Sequence, residues 1–88
     1  PQVEFADAEN GRTLLSLVCT DRPGLLANVS RVLRSLRLRV HDARIATFGA
    51  RAEDMFQISD ERDRALHDDH QRQALRDALL AALDGEAQ

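Results

Sequence analysis

The segment Asp21-Arg22-Pro23-Gly24-Leu25-Leu26 joins a β-rich run to an amphipathic stretch. Where a strand ends and a helix begins, backbone N–H groups point outward, and their partial positive charge favours a carboxylate or another small anion. Gly24, with no Cβ, lets a ligand or another backbone come close. The same residues also make an ordinary helix start, with Asp21 as the cap and Pro23 in the first turn. Spacing alone leaves both readings open.

Other groups compete for attention. In His67-Asp68-Asp69-His70 the two imidazoles, three residues apart, would face one side of a helix with carboxylates beside them, a pattern that can hold a metal ion. Acidic residues in a first turn also complement the helix dipole, and one exposed turn lacks the further ligands of a closed shell, so the metal reading is the weaker. His41 and Asp42 are neighbours on a strand and point to opposite faces, which favours a bulge or a surface position over an acid/base pair. Cys19 has the inward parity of a central strand, the setting of a small apolar thiol rather than of a nucleophile. Within Arg51-Ala52-Glu53-Asp54-Met55-Phe56, Asp54 shares its face with Phe56 and Ile58, and a buried carboxylate needs a partner. Arg44 and Arg51, close across a turn at Gly49-Ala50, can pair with these acids or meet a neighbouring domain, or all can be solvated charges at a hairpin tip.

The elements that must position these residues follow from periodicity. Val3 to Ala6 alternates, Asp7-Ala8-Glu9-Asn10-Gly11 supplies a turn, and Thr13 to Thr20 returns as a strand with Leu15, Leu17 and Cys19 on one face and Leu14, Ser16 and Val18 on the other. Leu25, Val29, Val32, Leu33 and Leu36 recur at helical spacing. The run from Leu38 to Phe48 alternates from Leu38 and Val40, then slips phase to Ala43, Ile45 and Thr47, as a bulge near His41-Asp42 would cause. Arg51 to Ser59 completes a second hairpin, Asp60 to Arg64 is a polar loop, and a last helix runs from about Asp68 to Leu83, with Leu75, Ala78, Leu79, Ala82 and Leu83 inward and Gly85 as its stop.

Strand-helix-strand-strand-helix-strand is the split βαβ arrangement; here its closing strand is missing from the C-terminal side and the N-terminal strand can supply it. The expected fold is α+β: a permuted ferredoxin-like sandwich, a four-stranded antiparallel sheet with two helices on one face, the other face carrying Leu14 and Val18. A single domain spans 1–84, with strand and hairpin loop at 1–11, a βαββα core at 12–84 and a frayed tail at 85–88.

Composition narrows the function. Eighty-eight residues make one small domain, so a cleft between two lobes is excluded. So short a chain buries only about 60–65% of its unfolded surface, and association with a neighbour is expected. A net charge of −3, with 3 Phe and no Tyr or Trp, argues against a base-stacking RNA-binding domain and against nucleic acid as a partner. A single Cys cannot make an internal disulfide or the Cys pair of a metallochaperone. No apolar run approaches a membrane span, no targeting segment is visible, and the cytoplasm is the expected location. The chain opens Pro1-Gln2 without an initiator Met, which points to a piece of a longer protein.

Asp21-Arg22-Pro23-Gly24-Leu25-Leu26, with Ala43-Arg44-Ile45-Ala46-Thr47-Phe48-Gly49, Arg51-Ala52-Glu53-Asp54-Met55-Phe56 and Ser59-Asp60, resembles the ACT domain family over nearly the whole chain. More narrowly it is similar to the ACT domains of nucleotidyltransferases that add UMP to the PII nitrogen-signalling protein and remove it. The resemblance implies a non-catalytic module with no cofactor of its own, Mg2+ in the parent enzyme, and PII as a partner through that parent. It implies a second ACT domain, in tandem or as a homodimer, and a small amino acid, glutamine, bound at the shared interface to favour UMP removal. It maps Thr20, Asp21, Gly24, Leu25 and Leu26 to the ligand loop, and Arg39 and Val40 to the facing strand. Arg39 departs from the Asn of serine-binding ACT domains. The alternative is an ACT module that only pairs domains and binds no ligand.

Overall fold

The structure, a computed structural model, describes residues 1–85. In chain order the elements are β1 (Gln2–Asp7), β2 (Thr13–Thr20), α1 (Leu25–Ser35), β3 (Arg39–Phe48), β4 (Arg51–Ser59) and α2 (Asp69–Gly85). The four strands form one antiparallel sheet in the order β1-β2-β4-β3. That is the ferredoxin-like order with the N-terminal strand occupying the place of the missing C-terminal one, because the β1–β2 hairpin forces it against the outer edge of β2. The tail expected at 85–88 lies, beyond Gly85, outside the described residues.

Alternation decides which face the helices cover. Leu15, Leu17 and Cys19 of β2 and Ala52, Phe56 and Ile58 of β4 are buried in one cluster with Leu25, Val29 and Leu33 of α1 and Leu75, Leu79 and Leu83 of α2. Each of the Leu, Val, Ile and Phe side chains contributes about 1.5–3 kcal/mol on burial. The opposite face carries Leu14, Ser16 and Val18, half-buried only by their strand neighbours. The expected bulge is present: Val40 pairs with Ile58 and Asp42 with Gln57, so His41 is the extra residue.

Three details differ from the periodic reading. Leu36 is exposed, because α1 ends there in a Schellman motif: Arg37 takes φ 60°, its N–H donates to Arg34 O (3.0 Å), and Leu38 N–H donates to Leu33 O (2.9 Å). Leu38, thrown inward by that turn, fills the core place expected of Leu36. Val40 is exposed too, since β3 is an edge strand that neither helix covers there. Finally, α2 runs from Asp69 through Gly85, and Leu66, in the connection before it, is fully buried. The Leu66 N–H donates to the buried Thr13 hydroxyl at 2.8 Å, which ties this connection to the start of β2.

Candidate functional site

α1 starts without a side-chain cap. Its N-cap residue is Gly24, at φ 82° and ψ 2°, a left-handed conformation that a residue with a Cβ rarely adopts. The expectation that Asp21 caps the helix is therefore corrected. Asp21 instead donates its N–H to Ala50 O at 2.7 Å and fastens the loop to the β3–β4 turn. Leu25 N–H donates to Arg22 O (3.3 Å) and Asn28 N–H to Gly24 O (3.0 Å), and among the described residues no backbone carbonyl accepts from Leu26 or Ala27. Two amides at the positive end of a helix dipole are thus left for something else.

Beneath them is a cleft of about 210 Å3 between this loop and the inner face of β3 and β4, walled by Gly24, Leu26, Ile45, Thr47, Ala52 and Asp54. It stays open because β3 is the sheet edge and Ile45, although on the helix side, is 48% exposed. Asp54 lies between Leu17 of β2 and Ile45 of β3 in the sheet register and is only 2% exposed. Neither of its carboxylate oxygens has a hydrogen-bond partner among the described residues. Burial pushes its pKa up, the Ala46 backbone amide works against that, and the Asp21 carboxylate adds to it.

The arginines expected to meet this carboxylate do not. Arg51 Nη2 is 3.8 Å from Glu53 Oε1, and Arg44 Nε is 4.0 Å from Asp42 Oδ2, both near the solvent. Side chains of adjacent parity on a strand leave opposite faces, so neither can turn inward. Cys19, opposite Ala52 in the register, is buried, and burial, then the nearby Asp54, pushes its thiol pKa up, the reverse of a reactive thiolate.

Of the sequence-predicted residues, Asp21, Gly24, Leu25 and Leu26 line this cleft together. Thr20 does not: it is exposed and lines a broad, open depression of about 710 Å3 with Pro1, Val18 and Phe48. Arg39 and Val40 pair with Ser59 and Ile58 at the far end of β3, away from the cleft within one chain. Ile45, Thr47 and Ala52 escaped the sequence reading as cleft walls. The available signal was their register with the inward parity of Asp54, since Ile45 stands directly opposite it.

The second polar cluster lies at the other end. His41 Nε2 is 2.6 Å from Ser59 Oγ and 3.3 Å from Asp63 Oδ1, and Arg12 Nε is also 3.3 Å from Asp63 Oδ1. The Ser59 hydroxyl donates to Asp60 O at 2.9 Å. One imidazole nitrogen meets both the hydroxyl and the acid, and the hydroxyl proton is committed elsewhere, so no nucleophile–base–orienter chain is formed. His67, Asp69 and His70 sit at or just before the start of α2, and among the described residues no group of three or more His, Cys, Asp or Glu side chains could hold a metal ion. No helix is long and apolar enough to cross a membrane among the described residues.

Comparisons with known proteins bear on the family and the fold. A family model described as "Plant bHLH transcription factor, ACT-like domain" matches residues 2–84. The bifunctional uridylyltransferase/uridylyl-removing enzyme of Xanthomonas campestris pv. campestris (strain B100) is 67% identical over 85 residues, 96% of this chain and 10% of that enzyme. The enzyme of the same description from Methylococcus capsulatus is 45% identical over 74 residues, 84% of this chain and 8% of its own length. The chain thus spans about a tenth of the curated relatives it matches. A crystal structure of an unknown protein from Galdieria sulphuraria superposes with a TM-score of 0.66 at 24% identity, over 82% of this chain and 38% of that one, and supports the fold.

Proposed function

The chain belongs to the ACT-like domain family, and from that premise we propose that it is a sensor module that takes a free amino acid, glutamine first, into the cleft at the start of α1. The observation that carries this reading is the uncapped helix start: two amides without backbone acceptors, opened by a left-handed Gly24, over a cleft of about 210 Å3. Those amides would hold the ligand α-carboxylate. The cleft is smaller than the roughly 300–1,000 Å3 that drug-sized ligands occupy, which suits one amino acid. Arg39 and Val40, distant from the cleft within one chain, are assigned to the ligand through a second ACT-like domain set beside the first, and Thr20 to the rim between the two.

The setting we propose is an enzyme that uridylylates PII and removes the UMP; the description of the relatives as uridylyltransferase/uridylyl-removing enzymes supports the two activities, and PII as their target is part of the proposal. Nucleotidyl transfer, with the Mg2+ it would use, belongs in this proposal to other regions of the enzyme. Glutamine shifts that enzyme toward UMP removal only if one arrangement of the domains binds it better than the other, and a coupling of about 1–3 kcal/mol gives a clear switch. A second reading, a pairing module with no ligand, draws on Val40, Ile45 and Phe48, all exposed along the β3 edge strand. Calorimetry with glutamine on the 88-residue chain and on the full-length protein that carries it separates the two readings. Saturable heat in either supports the sensor; silence in both leaves the pairing module.

A further inference from the structure

Resting on the amino-acid reading above, we propose that Asp54 is the group that receives the α-ammonium of the ligand, so that the cleft selects free α-amino acids over N-blocked amino acids and simple carboxylic acids. Three buried polar residues set the contrast from which this follows: Thr13, Ser59 and Asp54. Thr13 accepts a hydrogen bond from Leu66 N–H, and Ser59 is bonded to His41 and to Asp60 O. Asp54 alone among them has both oxygens without a partner, although it is the one able to carry a charge. Burying a carboxylate without a hydrogen-bonded partner is costly, so the group calls for a specific explanation, and a ligand that arrives from outside supplies one.

The chemistry of that partner is set by what surrounds the carboxylate. Its neighbours in the sheet, Leu17 and Ile45, are apolar, and the arginines on adjacent strand positions point to the other face. Arg22 lines the same cleft but makes no hydrogen bond to the carboxylate, so an occupant that completes it brings a positive charge and N–H donors within its reach. A metal ion would need more ligands than one carboxylate, and among the described residues no cluster offers them. An ammonium is compact and carries three donors that two carboxylate oxygens can accept. The same cleft presents the start of α1, whose Leu26 and Ala27 amides suit an anion. A cavity with a buried anion in its floor and helix amides at its rim is complementary to a zwitterion, with the side chain directed along Ile45 and Thr47.

Protonation sharpens the inference. Burial holds the Asp54 pKa above the usual carboxylate range, and a bound ammonium favours the charged form, so binding near that pKa releases a proton. The other titratable or charged groups facing it are Asp21 and Arg22 of the loop and Cys19 of β2; the facing positions of β3 and α1, Ile45, Thr47, Leu25 and Leu26, carry no charge.

The test is calorimetry of glutamine, N-acetylglutamine and glutaric acid against the wild type and Asp54→Asn, on the chain and on the full-length protein, repeated over a pH series in buffers of different ionisation enthalpy. The inference expects glutamine affinity to fall tenfold or more in Asp54→Asn, N-acetylglutamine and glutaric acid to bind the wild type at least tenfold more weakly than glutamine, and affinity to weaken as pH is lowered, with protons released on binding. If glutamine binds but neither blocking its amine nor Asp54→Asn weakens it, Asp54 has no such role and the amino-acid reading stands without it. Tighter binding at low pH makes the carboxyl a neutral donor and overturns the inference. Absence of glutamine binding in every form removes the sensor reading and this inference together. Should Asp54→Asn fail to fold, the N-acetylglutamine arm on the wild type decides.

Discussion

The two ends of this small sandwich treat their polar groups in opposite ways. At the end formed by the starts of β2 and β3, the close of β4 and the connection to α2, the polar groups are matched. Leu66 N–H meets Thr13, Ser59 meets His41 and Asp60 O, and the Asp60 carboxylate accepts from Arg62 N–H (2.8 Å) and Arg64 N–H (2.9 Å). At the end formed by the β2–α1 loop and the β3–β4 turn, α1 is uncapped, two amides have no backbone acceptor, and a buried carboxylate has no donor. A satisfied network needs nothing more, whereas the buried Asp54 carboxylate lowers stability until it is completed, and the exposed amides at the start of α1 can exchange water for a ligand. The difference teaches where to look for function: at the end that is energetically incomplete.

Breaking the closed end should give the largest effects. Leu66→Ala removes a fully buried side chain and is expected to cost about 2–5 kcal/mol, read from urea denaturation. A loss under about 1 kcal/mol would mean that the connection is not part of the core. Thr13→Val keeps the shape but strands the buried Leu66 N–H, and should cost about 1–3 kcal/mol by the same assay. The open end should respond with the opposite sign. Asp54→Asn removes a charge that is unpaired without ligand, and is expected to raise stability by about 1 kcal/mol at neutral pH, seen as a higher melting temperature; a lower one would mean that the carboxylate has a partner at rest.

The two carboxylates should also tilt stability oppositely with pH. The Asp54 pKa is raised by burial, so the folded state holds its proton longer than the unfolded state does; the associated stability is present at acid pH and is lost as pH rises from the ordinary carboxylate value through the raised one. The Asp60 pKa is lowered, first by the Arg64 amide, so its contribution is present above the ordinary value and is lost as pH falls through the lowered one. Urea midpoints against pH for Asp54→Asn and Asp60→Asn should each lack one of these slopes. Gly24→Ala should cost about 1 kcal/mol: open space surrounds the new Cβ, but the left-handed backbone disfavours it, and the melting temperature should fall by a similar amount to the rise in Asp54→Asn.

Much of the fold was legible because period and punctuation agreed. The β2 alternation, the turn at Gly49-Ala50 and the phase slip at His41 were each readable, and the sheet followed from two hairpins set into the split βαβ arrangement, which brings β2 beside β4. Leu36 misled because a helical stripe does not reveal where the helix stops, and the non-glycine Arg37 in the left-handed position carried no warning. At the site, the loop Asp21 to Leu26 and the inward parity of Asp54 were both readable, but not that they face one another. That depends on the register of β3 with β4, which places Ile45 and Thr47 under α1. Arg39 and Val40 show the converse, since residues assigned by resemblance to one site lie at opposite ends of the sheet within a single chain.

The central claim is that the start of α1 receives a free amino acid, and amide chemical-shift mapping during a glutamine titration tests it most directly. The account predicts saturable shifts concentrated at the Leu26 and Ala27 amides, with Ile45, Thr47 and Asp54 following at the same midpoint. Shifts gathered instead at the opposite end, around Asp60 to Arg64, or none at any glutamine concentration in the chain or in the full-length protein, would contradict it.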